Sequence, residues 1–270
     1  MGLCDGRAVI VTGAGRGIGR AHALAFAAEG AAVVVNELDA EAGGQVVRDI
    51  LAAGGRAVGN ADDVADWEGA GRLVRTALES FGRLDVLVNN AGFVRDRMLA
   101  GMGEDEWDSV VRVHLKGHFA PLRHAVDHWR SESKAGRRPD ARVINTTSGA
   151  GLMGSIGQAN YVAAKAGIAG LTVIAAAELA RYGVTVNAIA PAARTRMTEV
   201  AFADMMAVPE SGFDAMAPEN VSPLVVWLGS TQSGDVTGRV FEVEGGRVGV
   251  ADGWQHGAVT DKGARWLPGE

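Results

Sequence analysis

Cysteine is almost missing: with Cys4 alone among 270 residues no internal disulfide can form, which suits a reducing cytoplasm. Basic charge is scarce as well, since 26 lysines and arginines face 32 acidic side chains and leave a formal charge of -6. Nowhere are the basic residues gathered into the stripe that a phosphate backbone requires, so nucleic acid is not an expected partner. Long apolar runs are lacking too. The longest that is both uncharged and largely apolar, Ala166 to Ala177, is interrupted by Thr172 and stopped by Glu178, short of the roughly 18 residues of a membrane span. The amino terminus meets Asp5 and Arg7 before any apolar core, so the charged-then-apolar order of a secretion signal is absent. A cytoplasmic location and no membrane partner are the expectations. No repeat of solenoid length and no Ser/Gly-rich linker divides the chain, which favours one domain over residues 1–247 with a tail at 248–270.

Glycine is abundant, 38 residues of it, in a chain that is 47% hydrophobic and 21% charged, an ordinary globular composition. Apolar runs of strand length alternate with longer segments of helical period, the mark of parallel strands joined by crossover helices. The expected class is α/β. Ala8 to Thr12, Ala32 to Asn36, Ala57 to Asn60, Leu84 to Asn89, Arg142 to Thr147, Val184 to Ile189 and Val240 to Val243 read as about seven strands. Several are nearly continuous in Val, Ile and Leu, which implies burial on both faces. Gly17 to Glu29, Ala40 to Ala53, Asp66 to Phe81, Glu104 to Ser131, Ala159 to Tyr182 and Pro218 to Leu228 read as helices. Ser131 to Asp140 is a surface loop by composition. Val248 to Glu270 reads as irregular, with Trp254 and Trp266 suited to packing against a neighbour such as a second subunit.

Thr12-Gly13-Ala14-Gly15-Arg16-Gly17-Ile18-Gly19 follows the first strand and opens a helix, so backbone N–H groups and the positive helix end converge where a pyrophosphate can sit. A Cβ there would hold the ligand away. The spacing is Gly-x-x-x-Gly-x-Gly, which differs from the common Gly-x-Gly-x-x-Gly dinucleotide pattern. Glu37, at the end of the second strand, can accept hydrogen bonds from a ribose diol and favours NAD over NADP. Arg16 is the opposing signal, because a guanidinium in this turn can pair with a 2'-phosphate.

Tyr161 and Lys165 stand four apart in a segment of helical period and project from one face. A phenol with a pKa of about 10 is a poor base at neutral pH, and a nearby ammonium favours its phenolate. Ser148, at the end of a strand, can hydrogen-bond the substrate oxygen whose charge changes during hydride transfer. A packed tyrosine beside a solvated lysine is the competing reading of the pair taken alone.

Taken together these motifs resemble the short-chain dehydrogenase/reductase family over about Gly2 to Gly246. The Thr12 to Gly19 turn, Asn89-Asn90-Ala91-Gly92, Ser148 and Tyr161-x-x-x-Lys165 stand in that family's order and spacing. The resemblance implies a Rossmann-type doubly wound sheet and an oxidoreductase interconverting a secondary alcohol and a ketone. It implies that Tyr161 exchanges the proton, Lys165 lowers its pKa and holds the nicotinamide ribose, and Ser148 positions the substrate oxygen. Gly13, Arg16, Gly17, Ile18 and Gly19 would line the pyrophosphate, Asp63 and Val64 the adenine, and Asn90 the adenosine side. Asn89 would tie neighbouring strands. Two positions depart from the pattern: His114 replaces an asparagine whose backbone carbonyl holds a relay water, and Pro191-Ala192 replaces Pro-Gly. Thr195, the threonine expected at the carboxamide, falls one residue early.

Segments around Asn90 to Met98, Val113 to Gly117, Gly157 to Tyr161 and Ala190 to Thr198 further resemble the dehydrogenase part of peroxisomal multifunctional enzymes. That branch implies NAD and an apolar 3-hydroxyacyl thioester or hydroxysteroid as substrate. Met197, Met205, Met206 and Met216 suit a lid over a greasy ligand across residues 194–218, or the packing of a short helix. His114/His118 and His124/His128 have i, i+4 spacing but lack the His-Glu-x-x-His arrangement, so no metal is expected. A homodimer or homotetramer is implied by resemblance. The alternatives are an NADPH-dependent 3-oxoacyl reductase and a catalytically idle NAD-binding module.

Overall fold

The computed structural model describes residues 2–195, 206–253 and 255–269. Among these, eight strands form one sheet in the order β3-β2-β1-β4-β5-β6-β7-β8. β1 (Ala8–Thr12), β2 (Ala32–Asn36), β3 (Arg56–Asn60), β4 (Val86–Asn89), β5 (Ala141–Thr146), β6 (Val184–Ala192) and β7 (Val240–Glu244) run parallel. β8 (Arg247–Ala251) returns antiparallel to β7. Every residue of β1, β2, β4 and β5 is buried, as expected for strands covered on both faces.

One apolar layer gathers Val9, Val33, Phe26, Ile50, Val225 and Leu228 beneath α1 (Gly17–Ala28), α2 (Ala40–Ala52) and α8 (Ser222–Gly229). The opposite layer gathers Ile10, Leu73, Leu87, Leu122, Trp129 and Val186 beneath α3 (Trp67–Phe81), α5 (Gly117–Lys134) and α7 (Ala159–Leu179). Local chemistry sets the helix ends. Asp39 and Asp66 cap α2 and α3 by accepting the Ala42 and Gly69 N–H groups, and Gly82 closes α3 at φ 75°.

Three elements differ from the sequence reading. The single helix expected from Glu104 is two helices, α4 (Glu104–Val111) and α5, joined by a π-helical turn at Arg112–Lys116. Pro121, one turn later, has no N–H for the Gly117 carbonyl, and Gly117 lets the chain approach Val64, which a Cβ would meet at 3.0 Å. α5 then runs to Lys134, four residues into the segment assigned to a loop. The stretch from Val248 is not irregular at its start, because a Gly245 turn with φ 53° folds Arg247–Ala251 back as an eighth strand. Trp266 is half exposed, with the Lys262 ammonium 5.1 Å from its ring, and Trp254 lies outside the described residues.

The 24-residue stretch Ala159–Tyr182 is long and apolar enough to cross a membrane by length and composition, which the sequence reading did not allow for. It lies along the sheet, with Lys165, Ile168, Thr172 and Ala176 buried against it.

Between α1 and α8, His22 is fully buried with Nδ1 2.9 Å from Ser222 Oγ, and burial pushes its pKa down to about 3. His114 is pushed down to about 3 by burial and then by the Lys165 charge. The unfolded chain takes up these protons near pH 6.5, so stability is complete above that pH and is lost as pH falls from about 6.5 toward 3. Each imidazole should cost up to about 2 kcal/mol by pH 5. Thermal melts between pH 7 and 5 should show a falling midpoint, and His22→Gln should flatten the slope; a flat wild-type profile in that window would contradict it.

Candidate active site

β1 and β4 are neighbours whose following connections leave on opposite sides of the sheet, and the cleft opens at their C-terminal ends. It measures about 760 Å³ and is lined at one end by Gly13, Arg16, Glu37 and Asp63, and at the other by His114, Ser148, Tyr161 and Lys165. Ile18, Val64, Asn90, Pro191, Ala192 and Thr195 also face it.

The glycine turn is built for close approach. Gly13 and Gly17 have φ of 62° and 53°, and a Cβ on Gly19 would lie 2.2 Å from the Gly13 carbonyl. Asn90 holds this turn to β4, its Nδ2 donating to the carbonyls of Thr12 at 2.9 Å and Gly13 at 3.3 Å. Its side chain is thus a brace for the turn as well as a wall of the cleft. Asn89, one residue earlier, donates to Asn145 Oδ1 at 3.0 Å and ties β4 to β5.

Glu37 leaves β2 and accepts the Gly15 N–H at 3.1 Å, which places its carboxylate beside the turn. Arg16, the opposing signal in the sequence, is turned to Asp39 at 2.5 Å. Asp63 accepts the Ala65 N–H at 2.8 Å and pairs with Arg112 at 2.5 Å, so its carboxylate is already engaged where the sequence reading put the adenine.

The other end of the cleft rests on β5 and α7. Ser148 follows β5 and caps the short helix α6 (Gly149–Met153), its Oγ accepting the Ala150 N–H. Asn160 is fully buried and pins the start of α7: its Nδ2 donates to the carbonyls of Arg95 at 3.1 Å and Glu106 at 2.9 Å, and its Oδ1 accepts the Tyr161 N–H at 2.7 Å. One turn on, Lys165 Nζ donates to the Thr146 carbonyl at 2.6 Å and lies 5.5 Å from the centre of the Tyr161 ring. The His114 ring meets the Tyr161 ring edge-on at 5.2 Å, with Nε2 2.6 Å from the Phe93 carbonyl.

Burial dominates both titrating partners. It raises the Tyr161 hydroxyl, a hydrogen bond with Ser148 opposes that rise, and the Asp96 charge adds to it. It pushes Lys165 down to about 7. Burial therefore works against both charged forms that the sequence reading pairs, the Lys165 ammonium and the Tyr161 phenolate.

Other expectations sort as follows. Met206 is buried and lines the cleft, Met216 is partly buried, and Met197 and Met205 lie outside the described residues. Arg194 ties this region together: its side chain donates to the Met206 carbonyl and pairs with Asp214, while its N–H donates to the Met216 carbonyl. The histidine pairs diverge. His114 faces the cleft, His118 is sealed beneath it, and His124 bonds the Trp67 carbonyl at 2.9 Å. Among the described residues no three metal-type ligands gather. The sequence reading quoted Gly92 and Asn160 only within motifs and weighed His118 only for metal, without giving any of the three a role of its own; the i, i+4 spacing of His114 and His118 was the available signal for the last.

A parallel sheet with a glycine cradle at its crossover and a serine, tyrosine and lysine in the same cleft defines a dinucleotide-dependent oxidoreductase. The comparisons with known proteins are consistent. The family model for short chain dehydrogenases matches residues 7–205. A hydroxyacyl-CoA dehydrogenase of Mycobacterium tuberculosis is 44% identical over 98% of this chain and 86% of its own length. Peroxisomal multifunctional enzyme type 2 of Mus musculus is 44% identical over 96% of this chain, which spans 34% of that longer protein. The crystal structure of a short chain dehydrogenase from Mycobacterium avium is 61% identical, with a TM-score of 0.91 over 99% of this chain and 92% of that one. The chain belongs to the short-chain dehydrogenase family, and is an enzyme that interconverts a secondary alcohol and a ketone.

Gly92 and His114 share one volume, since a Cβ on Gly92 would lie 2.1 Å from His114 Cε1. Gly92→Ala should therefore displace the ring that abuts Tyr161, lowering stability by about 1–3 kcal/mol and kcat by about tenfold or more. Melting and steady-state rates of Gly92→Ala, His114→Ala and the double variant check this. Losses that simply add in the double variant would show that the two sites are independent.

Proposed function

We propose that the protein oxidises the secondary alcohol of an apolar 3-hydroxyacyl thioester with NAD, using Ser148, Tyr161 and Lys165. The observation that carries the reading is the convergence of those three side chains in the cleft that begins at the glycine turn. When bound, the nicotinamide would supply the hydride acceptor. The residues fit such a cofactor: the positive-φ glycines leave room for a pyrophosphate, and Glu37 stands where a ribose diol would find an acceptor. Ser148 Oγ orients the substrate hydroxyl, the Tyr161 oxygen takes its proton, and Lys165 stabilises the phenolate left before that transfer.

NAD is favoured over NADP because Glu37 would repel a 2'-phosphate and because Asp39 occupies Arg16. Met206 in the cleft wall and the exposed side chains of Met98, Met153 and Ile156 favour an apolar substrate body. The lid over residues 194–218 belongs to the same proposal, with Arg194 clamping its described flank. The thioester is taken from what the relatives are named for, a hydroxyacyl-CoA dehydrogenase and, at 43% identity, a 3-oxoacyl-[acyl-carrier-protein] reductase of Synechocystis. A cytoplasmic homodimer or homotetramer completes the proposal, consistent with the buried free Cys4 and the exposed Val173, Ile174, Val248 and Val250.

Turnover should be measured by absorbance of reduced nicotinamide on 3-hydroxyacyl thioesters, hydroxysteroids and short polar alcohols. The thioesters should be preferred. Oxidation should rise as pH increases, because burial raises the Tyr161 hydroxyl above the ordinary phenol range and it must lose its proton to act as base. Tyr161→Phe should cut kcat by about 10²–10⁴-fold while NADH binding persists. A preference for short polar alcohols, or a Tyr161→Phe variant as active as wild type, would overturn the assignment.

Cofactor choice has its own test. Glu37→Ser should lose about tenfold or more in kcat/KM with NAD and gain little with NADP, because Arg16 remains paired to Asp39. Adding Asp39→Asn should release the guanidinium and raise NADP use. Equal kcat/KM for the two cofactors in wild type would sink the NAD reading.

A further inference from the structure

β5 is held on one side by β6, where the Thr147 N–H meets the Ile189 carbonyl at 2.7 Å. On the other side its partner runs out. β4 pairs with β5 only as far as Asn89 opposite Asn145, and the next residue, Asn90, turns its N–H to Thr12 Oγ1 at 2.8 Å on β1. This parting opens the cleft just beyond the Thr146 N–H, which the Asn89–Asn145 register still turns toward the Asn89 carbonyl. A second acceptor reaches the same N–H from the helix layer: His118 Nε2, 3.3 Å from Thr146 N.

We infer that His118 is a positioning residue for Lys165, acting through Thr146: its Nε2 holds the Thr146 N–H, and the Thr146 carbonyl seats the Lys165 amine. The inference rests on the proposed role of Tyr161 and Lys165 in proton transfer. Nothing assigns His118 a part by position, since it is fully buried one helical turn beyond His114 and does not line the cleft.

The contacts around it support an aimed ring more than a filler. Asn89 Nδ2 donates to the His118 carbonyl at 3.2 Å while also holding Asn145, so the backbone of α5 is fixed to both β4 and β5 at this point. Asn145 Nδ2 continues to Thr172 Oγ1 at 3.0 Å, and Thr147 Oγ1 donates to the Lys165 carbonyl at 2.7 Å. The strand end is therefore bonded to α7 at Lys165 and Thr172 and to α5 at His118. Lys165 Nζ, at 2.6 Å from the Thr146 carbonyl, moves if that peptide moves.

The same geometry sets the tautomer. A backbone N–H can only donate, so Nε2 must keep its lone pair and the proton must sit on Nδ1. Nδ1 has no hydrogen-bond partner among the described residues. The titratable groups that face Lys165 are His114 and His118 from the π turn and α5, and Tyr161 from its own helix. A charged His118 would lose its acceptor and add a second positive charge beside the amine. Burial, then the charges of Lys165 and His114, keep its pKa well below the ordinary value, so it stays neutral over the working range.

The test separates aiming from space filling. His118→Leu removes the acceptor, whereas His118→Gln offers an amide oxygen near the Nε2 position. Expected are a fall in kcat of about tenfold or more for Leu with a displaced pH limb, and recovery of most of both for Gln. Equal losses for Leu and Gln with an unmoved pH limb would overturn the inference. In wild type, nitrogen NMR of labelled histidine should find neutral His118 protonated on Nδ1; a proton on Nε2 would overturn it whether or not the variants fold. Failure of the parent reading looks different: Tyr161→Phe would keep its activity while the His118 tautomer stayed as expected.

Discussion

An amine sealed from water against a single strand-end carbonyl is the contact on which this active site depends. Lys165 is almost wholly buried, and burial alone accounts for its depressed pKa. Such a group is tolerable in a protein interior only when its donor is satisfied and its charge is partial or shared. The Thr146 carbonyl satisfies one donor at 2.6 Å, and the face of Tyr161 lies within cation–π distance. The elements around it follow from that need: β5 must end where it does, and α7 must bring its first turn over that end.

Legibility from sequence followed the range of the interactions. The parallel strands were readable because burial on both faces writes uninterrupted Val, Ile and Leu into short runs such as Val33 to Val35 and Val86 to Val88. The glycine turn was readable because steric constraint leaves only one residue type at Gly13 and Gly17. Tyr161, Lys165 and Ser148 were readable by spacing, and resemblance to a family supplied their roles. The break between α4 and α5 was harder, because hydrophobic period persists through a π turn; Pro121 was the visible cue. β8 was hidden by its edge position, since a strand with one solvated side and a glycine in its centre carries little pattern.

What could not be read at all was electrostatic. Residue types and spacing put lysine beside tyrosine, but the burial that acts on both groups depends on depth, and depth is a tertiary property. His118 illustrates the same limit: its importance lies in an N–H of a strand 28 residues away, a partnership no local pattern records. Gly92 is comparable, since its need to be glycine comes from the ring of His114 and from no feature of its own turn.

Arg194 has a broader consequence. Because one arginine holds the chain at Met206, Asp214 and Met216, a wall of the cleft and the described segment that follows Met206 meet at a single mechanical junction. Losing that guanidinium would loosen Met206 while Ser148 and Lys165 keep their own anchors at the end of β5, so one wall of the cleft and the groups at its far end are held by separate bonds.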